Sequence, residues 1–184
     1  MFSDLLRQCQ EGKKLIGIYT NRQDLSKFDV GVVLAVDDDF LILSSVSKYG
    51  KRNGLLLLEI DSVVRIDEDS VYLRKIGALM RYYNEKQDDF NADEYLIYSL
   101  LEYCHANNRI AAIDLLDSGT YDAVGFVDDL DTERCVIKQI SEFGKNDGTS
   151  NILLADITSI SCCSEMEVML EVLSSEMFDE VRFN

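Results

Sequence analysis

The chain has 184 residues, 47% of them hydrophobic, with no proline and a formal net charge of −16. That composition excludes a disordered or low-complexity chain, and no stretch approaches the ~18 unbroken apolar residues of a membrane span. Five cysteines without regular spacing exclude a disulfide framework, and the opening Met1-Phe2-Ser3-Asp4 lacks the basic and apolar segments of a leader, so a cytoplasmic protein with buried free thiols is expected.

In chain order, Ser3 is placed to cap a first helix carrying Leu5, Leu6 and Cys9, with Gly12 at its end. Residues 15–19 read as a first strand and 30–36 as a second, in which Gly31 marks a bend or bulge. Asp37-Asp38-Asp39 makes a turn, because an Asp side chain accepts hydrogen bonds from the backbone just ahead of it. Residues 40–46 form a third strand, Tyr49-Gly50-Lys51-Arg52-Asn53-Gly54 a hairpin loop, and 55–60 and 63–66 two further strands. Leu73, Ile76, Leu79, Met80 and Tyr83 keep the spacing of one buried helix face. A polar break, Gln87-Asp88-Asp89, follows, and Asn91 is placed to cap a helix with Leu96, Ile97, Leu100, Leu101 and Cys104. Five more strands span 109–162, and Met166, Met169, Leu170, Leu173 and Met177 form a closing helix.

This plan is written twice. Gly31, Val33, Asp37, Ser47, Gly50, Lys51, Gly54 and Ile66 recur 94 residues later as Gly125, Val127, Asp131, Ser141, Gly144, Lys145, Gly148 and Ile160. Upstream the spacing becomes 95, which sets Leu5, Leu6 and Cys9 on Leu100, Leu101 and Cys104. A repeat this long is a domain, not a solenoid unit of ~20–50 residues. Short strands with glycine-marked turns and no helix between them favour antiparallel barrels over a parallel sheet. The expected fold is α+β, mostly β: two similar five-stranded small antiparallel β-barrels, superposable over 14–66 and 109–162, joined and flanked by helices. Residues 1–90 make the first module and 91–184 the second.

The two halves differ in charge. Residues 1–92 carry 13 Lys and Arg against 15 Asp and Glu, a net charge of −2, whereas residues 93–184 carry 5 against 19, a net charge of −14. Such asymmetry points to different partners for two similar modules, and equally to solvated acidic faces that keep the chain soluble.

No catalytic set emerges. His105, the only histidine, follows Cys104 on a helix, where neighbours point about 100° apart and do not meet. One histidine without a Cys-x-x-Cys pair offers too few zinc ligands. The acidic turns Asp37-Asp38-Asp39 and Asp128-Asp129-Leu130-Asp131 have carboxylates for a hard cation but no glycine-bearing calcium loop, and turn chemistry explains them. The Gly-Lys-x-x-Gly loops at 50–54 and 144–148 lack the Gly-Lys-Ser/Thr ending of a phosphate-binding P-loop and read as hairpins. Only the first is strongly basic, so Lys48, Lys51, Arg52 and Lys13 are the candidate contacts for an anion or nucleic acid. Neither cofactor nor metal is expected.

The segment from Gly31 through the Asp37-Asp38-Asp39 turn to Leu43, with the closing strands to Ile66 and their second copy, resembles the Sm-like family and other SH3-like small barrels. The PRC-barrel type is similar too. Sm-like membership implies RNA binding through an Asp–hydrophobic–Asn pattern and an Arg/Lys-Gly pair. This chain has Asp-Asp-Phe after Asp37, Thr-Glu-Arg after Asp131, and no Arg-Gly or Lys-Gly after the fourth strand of either half. The RNA-reading residues therefore do not carry over. The resulting expectation is a non-enzymatic interaction or adaptor protein whose acidic second module takes a protein partner, without membrane association; an Sm-like RNA-binding protein acting through the first module is the alternative.

Overall fold

The structure, a computed structural model, describes residues 2–86, 90–116, 118 and 120–175. The expected break at Gln87-Asp88-Asp89 and the helical position of Met177 lie outside them. The described residues are mostly β with four helices, and the chain divides into two compact units, residues 1–96 and 97–184.

The first unit runs α1 (Ser3–Glu11), β1 (Leu15–Tyr19), β2 (Asp29–Val36), β3 (Phe40–Val46), β4 (Arg52–Glu59), a 3-10 turn (Ile60–Ser62), β5 (Arg65–Glu68) and α2 (Val71–Tyr83). All its strand pairs are antiparallel, in the order β5-β1-β2-β3-β4. The 3-10 turn carries the chain back from β4, so that β5 pairs with β1 and not with its neighbour in sequence. The hydrogen-bonded ladder is open, with β4 and β5 at its two ends in this unit. Leu6 and Cys9 of α1 pack with Ile16, Ile18, Val33, Leu41, Leu43, Leu56 and Leu58, drawn from four strands. A smaller cluster joins Val30 and Val46 to Leu73 and Ile76, the inner face of α2.

Two local expectations need correction, at Ser3 and at Gly31. Phe2, not Ser3, stands at the N-cap of α1 and gives no side-chain cap; Ser3 is the first helical residue. At the other end Gly12 is the C-cap, as expected, with right-handed geometry (φ −75), and the left-handed residue that follows it is Lys13 (φ +48). The bulge in β2 falls between Val33 and Ala35 rather than at Gly31. Gly31 is needed for a different reason: a Cβ there would lie 2.5 Å from the Ser44 carbonyl oxygen of the neighbouring strand.

The second unit holds most of α3 (Leu96–Ala106), then β6 (Ile110–Leu115), β7 (Ala123–Leu130), β8 (Arg134–Ile140), β9 (Asn146–Leu153), a 3-10 turn (Leu154–Asp156), β10 (Ile157–Cys162) and α4 (Glu165–Ser174). Asn91 lies ahead of α3 and does not cap it. The order β10-β6-β7-β8-β9 repeats that of the first unit, again antiparallel. Irregularities recur at matching places: the β7 bulge lies between Val127 and Asp129, and both hairpin strands slip register before the turn, at Ser44/Val46 and Lys138/Ile140. Asp37 Oδ1 accepts from the amides of Asp39 (2.9 Å) and Phe40 (2.6 Å), and Asp131 Oδ1 does the same for Glu133 (2.8 Å) and Arg134 (2.9 Å). The recurring Asp residues are turn formers.

Candidate functional surfaces

In the first unit the β3–β4 hairpin rests on the last turn of α2. The Ser47 amide donates to the Lys51 carbonyl at 2.8 Å and the Gly50 amide to the Ser47 carbonyl at 2.9 Å. This tight turn holds Gly50 at φ +73 with its Cα against Leu79 and Met80, where any Cβ would collide. Glycine alone meets both demands. The seating brings Lys51 to the helix end: its Nζ lies 3.7 Å from the Tyr83 ring centroid and 3.0 Å from Glu85 Oε1. The Arg52 amide donates to Glu85 Oε2 at 3.4 Å. The hydrogen bond from Lys51 holds the Glu85 carboxyl below its ordinary value. Lys48 stands 5.1 Å from the centroid of the exposed Tyr49 ring, and Tyr82 and Tyr83 meet edge to face.

Three of the four expected anion contacts, Lys48, Lys51 and Arg52, therefore share one hairpin, joined by aromatic residues of α2. Lys13 belongs to the turn that ends α1. Sequence reasoning missed Tyr82 and Glu85 and set Tyr83 on the buried helix face, whereas its ring is exposed, because nothing in the spacing reveals that a glycine hairpin will lie on the end of the following helix.

The second unit repeats this seating with different chemistry. Gly144 (φ +71) lies against Leu173, a Cβ there falling 2.6 Å from the Leu173 Cβ. Phe143 takes the place of Tyr49 and is exposed. α4 begins with a capping box: Ser164 Oγ accepts from the Met166 amide at 3.2 Å, and the Ser164 amide donates to Glu167 Oε2 at 2.6 Å. Leu170 and the fully buried Glu167 form its inner face, while Val168, Met169 and Val172 stand 40–55% exposed on the outer one.

The acidic turns are internally occupied. Asp128 pairs with Lys138 at 2.5 Å, and Arg134 bridges Asp129 (3.3 Å) and Asp131 (3.2 Å). Among the described residues no group of three or more His, Cys, Asp or Glu side chains is arranged to hold a metal ion. His105 Nδ1 donates to the Val127 carbonyl at 2.8 Å, which leaves its ring as a strap between helix and strand. Cys9, Cys104, Cys135 and Cys162 are buried free thiols and Cys163 is half-buried; burial pushes Cys135 up to about 11, and a raised thiol is a poor nucleophile.

No family model, curated protein or solved structure matches the chain. What the surfaces can do is therefore read from their chemistry alone. No helix among the described residues is long and apolar enough to cross a membrane. One ionisable group stands apart from every pair described above: burial raises Asp29, at the start of β2, to about 6.

Proposed function

We propose that the chain is a non-enzymatic adaptor built from two small β-barrels of the SH3-like type, with a protein partner bound by the acidic second unit. The barrel reading is supported by the core that β1 to β4 share beneath α1, and by the return of β5 to pair with β1.

The adaptor reading is carried by one observation. The recurring residues do scaffold work at the Asp turns, the bulges and the glycine seats, while the matched surfaces have diverged in chemistry. The first unit presents lysines and tyrosines at its hairpin; the second presents Phe143, apolar α4 residues and many carboxylates. An exposed apolar patch with a polar rim is the mark of a protein-binding surface.

A second reading is favoured by the hairpin face itself. Cations interleaved with exposed tyrosines, as at Lys48, Tyr49, Lys51 and Tyr83, suit single-stranded nucleic acid. Against it, Glu85 neutralises part of that charge, and affinity for phosphate comes largely from free cations. The test uses the full-length protein. Partner retention on immobilised protein should survive nuclease, and short RNA should not bind at submicromolar concentration in physiological salt. Submicromolar RNA binding that is lost in Lys51→Glu with Arg52→Glu would replace the adaptor reading with the RNA one.

A further inference from the structure

The repeat supplies an internal control for α4. Ninety-four residues earlier, on α2, the positions matched to Val168, Met169 and Val172 hold Arg74, Lys75 and Ala78. α2 thus has an ordinary amphipathic pattern, with apolar Leu73 and Ile76 inward and charge outward. α4 instead buries Leu170 and the capping Glu167 inward and turns Val168, Met169 and Val172 to solvent. An exposed apolar face that is charged in the other copy marks an interaction surface. The hairpin seats on the end of the same helix, Gly144 against Leu173, and carries the exposed Phe143 next to that seat.

Charge selects what covers it. Residues 97–184 hold 17 Asp and Glu against 5 Lys and Arg. Arg109, Arg134 and Lys138 are each already in ion pairs within the unit. Glu142 precedes Phe143 and Glu165 lies one helical turn before Val168, with Lys145 the one cation of the hairpin, so the sequence around the patch is predominantly acidic. A second copy of the chain brings −16 against −16 and is repelled, as is an anionic lipid surface. We infer that the outer face of α4, with Phe143 beside it, is the docking site for a cationic amphipathic helix of a partner protein. Its apolar stripe lies on Val168, Met169 and Val172, and its lysines or arginines meet the surrounding carboxylates.

This inference rests on the adaptor reading and names the surface that reading uses. The chain has no tryptophan, so a peptide carrying a single Trp reports binding by its own fluorescence. The probe is a roughly 18-residue Leu/Lys amphipathic helix, compared with a scrambled peptide of identical composition, against full-length protein. The amphipathic peptide should bind at micromolar concentration and more weakly as salt rises, and the scrambled one roughly tenfold more weakly. Val168→Gln with Val172→Gln keeps charge and helix propensity, and should weaken binding roughly tenfold without changing the salt dependence. Both positions are exposed, so an unchanged circular-dichroism melt is expected; Met169→Gln alone is the second variant and should show a smaller loss.

Equal binding of the two peptides, or equal binding by the double variant, overturns the inference. So does a dimer in sedimentation that the double variant dissolves, which would make the second copy the occupant. Any of these with nuclease-resistant partner retention intact removes only this surface; RNA binding through Lys51 and Arg52 removes the adaptor reading beneath it.

Discussion

Asp29 gives the sharpest test of the first unit's interior. It opens β2 opposite Ile18, a fully buried residue of the core, and the matched position in the second unit is Ala123, which is buried. Burial raises its carboxyl from 3.8 to about 6, so the folded chain favours the neutral acid. Between about pH 4 and pH 6 the native state binds more protons here than the unfolded one, and stability falls as pH rises through that window. Above it the penalty is constant. A displacement of about two pH units, at ~1.4 kcal/mol each, sets an upper bound on the order of 3 kcal/mol; solvent access at the strand's start lowers the expected value to about 1–2 kcal/mol. Asp29→Asn removes the ionisation without changing the shape, and Asp29→Ala copies the second unit. Urea unfolding of wild type and both variants should show Asp29→Asn nearly isoenergetic with wild type at pH 4 and more stable by about 1–2 kcal/mol at pH 7. Two results refute the reasoning: a stability difference that is the same at both pH values, or a carboxyl titration midpoint for Asp29 near 4 in carbon-detected NMR.

Two further predictions concern the scaffold. Gly50→Ala places a side chain at φ +73 and presses it into Leu79 and Met80, so it should lose about 2–3 kcal/mol in urea unfolding. Gly148→Ala meets open space and only the backbone strain of φ +95, and should lose about 1 kcal/mol; equal losses would mean that the hairpin does not rest on the helix. Asp37→Ala and Asp131→Ala each remove an Oδ1 that accepts two backbone amides, and Asp37→Ala also removes the Oδ2 that accepts from the Leu96 amide at 3.4 Å, at about 1 kcal/mol for each bond. The corresponding Asn variants keep the Oδ1 acceptor, and Asp131→Asn should unfold like wild type.

What the amino-acid sequence determined by itself is the local grammar. Alternating apolar residues at 40–46, the 3.6-residue spacing of Leu73, Ile76 and Met80, and Asp at each turn act over a few residues, and the structure places β3, α2 and both turns where those patterns put them. The repeat added that two stretches share one plan, legible because turn geometry tolerates so few residue types at Gly50, Gly144, Asp37 and Asp131. The errors were also local, a residue or two out of place: Ser3 against Phe2 at the first N-cap, and Gly31 against Val33 and Ala35 at the β2 bulge.

Only the tertiary structure decided which distant residues meet. Lys51 reads as a free loop cation until the Gly50 seat brings it to Tyr83 and Glu85, over thirty positions along the chain. Gly31 reads as a bulge until the Ser44 carbonyl is found where a Cβ would be. Met169 reads with Leu170 as one apolar helix face until Leu170 is found inward beside Glu167 and Met169 outward beside Val168 and Val172. Spacing along a chain fixes which side chains share a face, but the face that meets water depends on what folds against the other one.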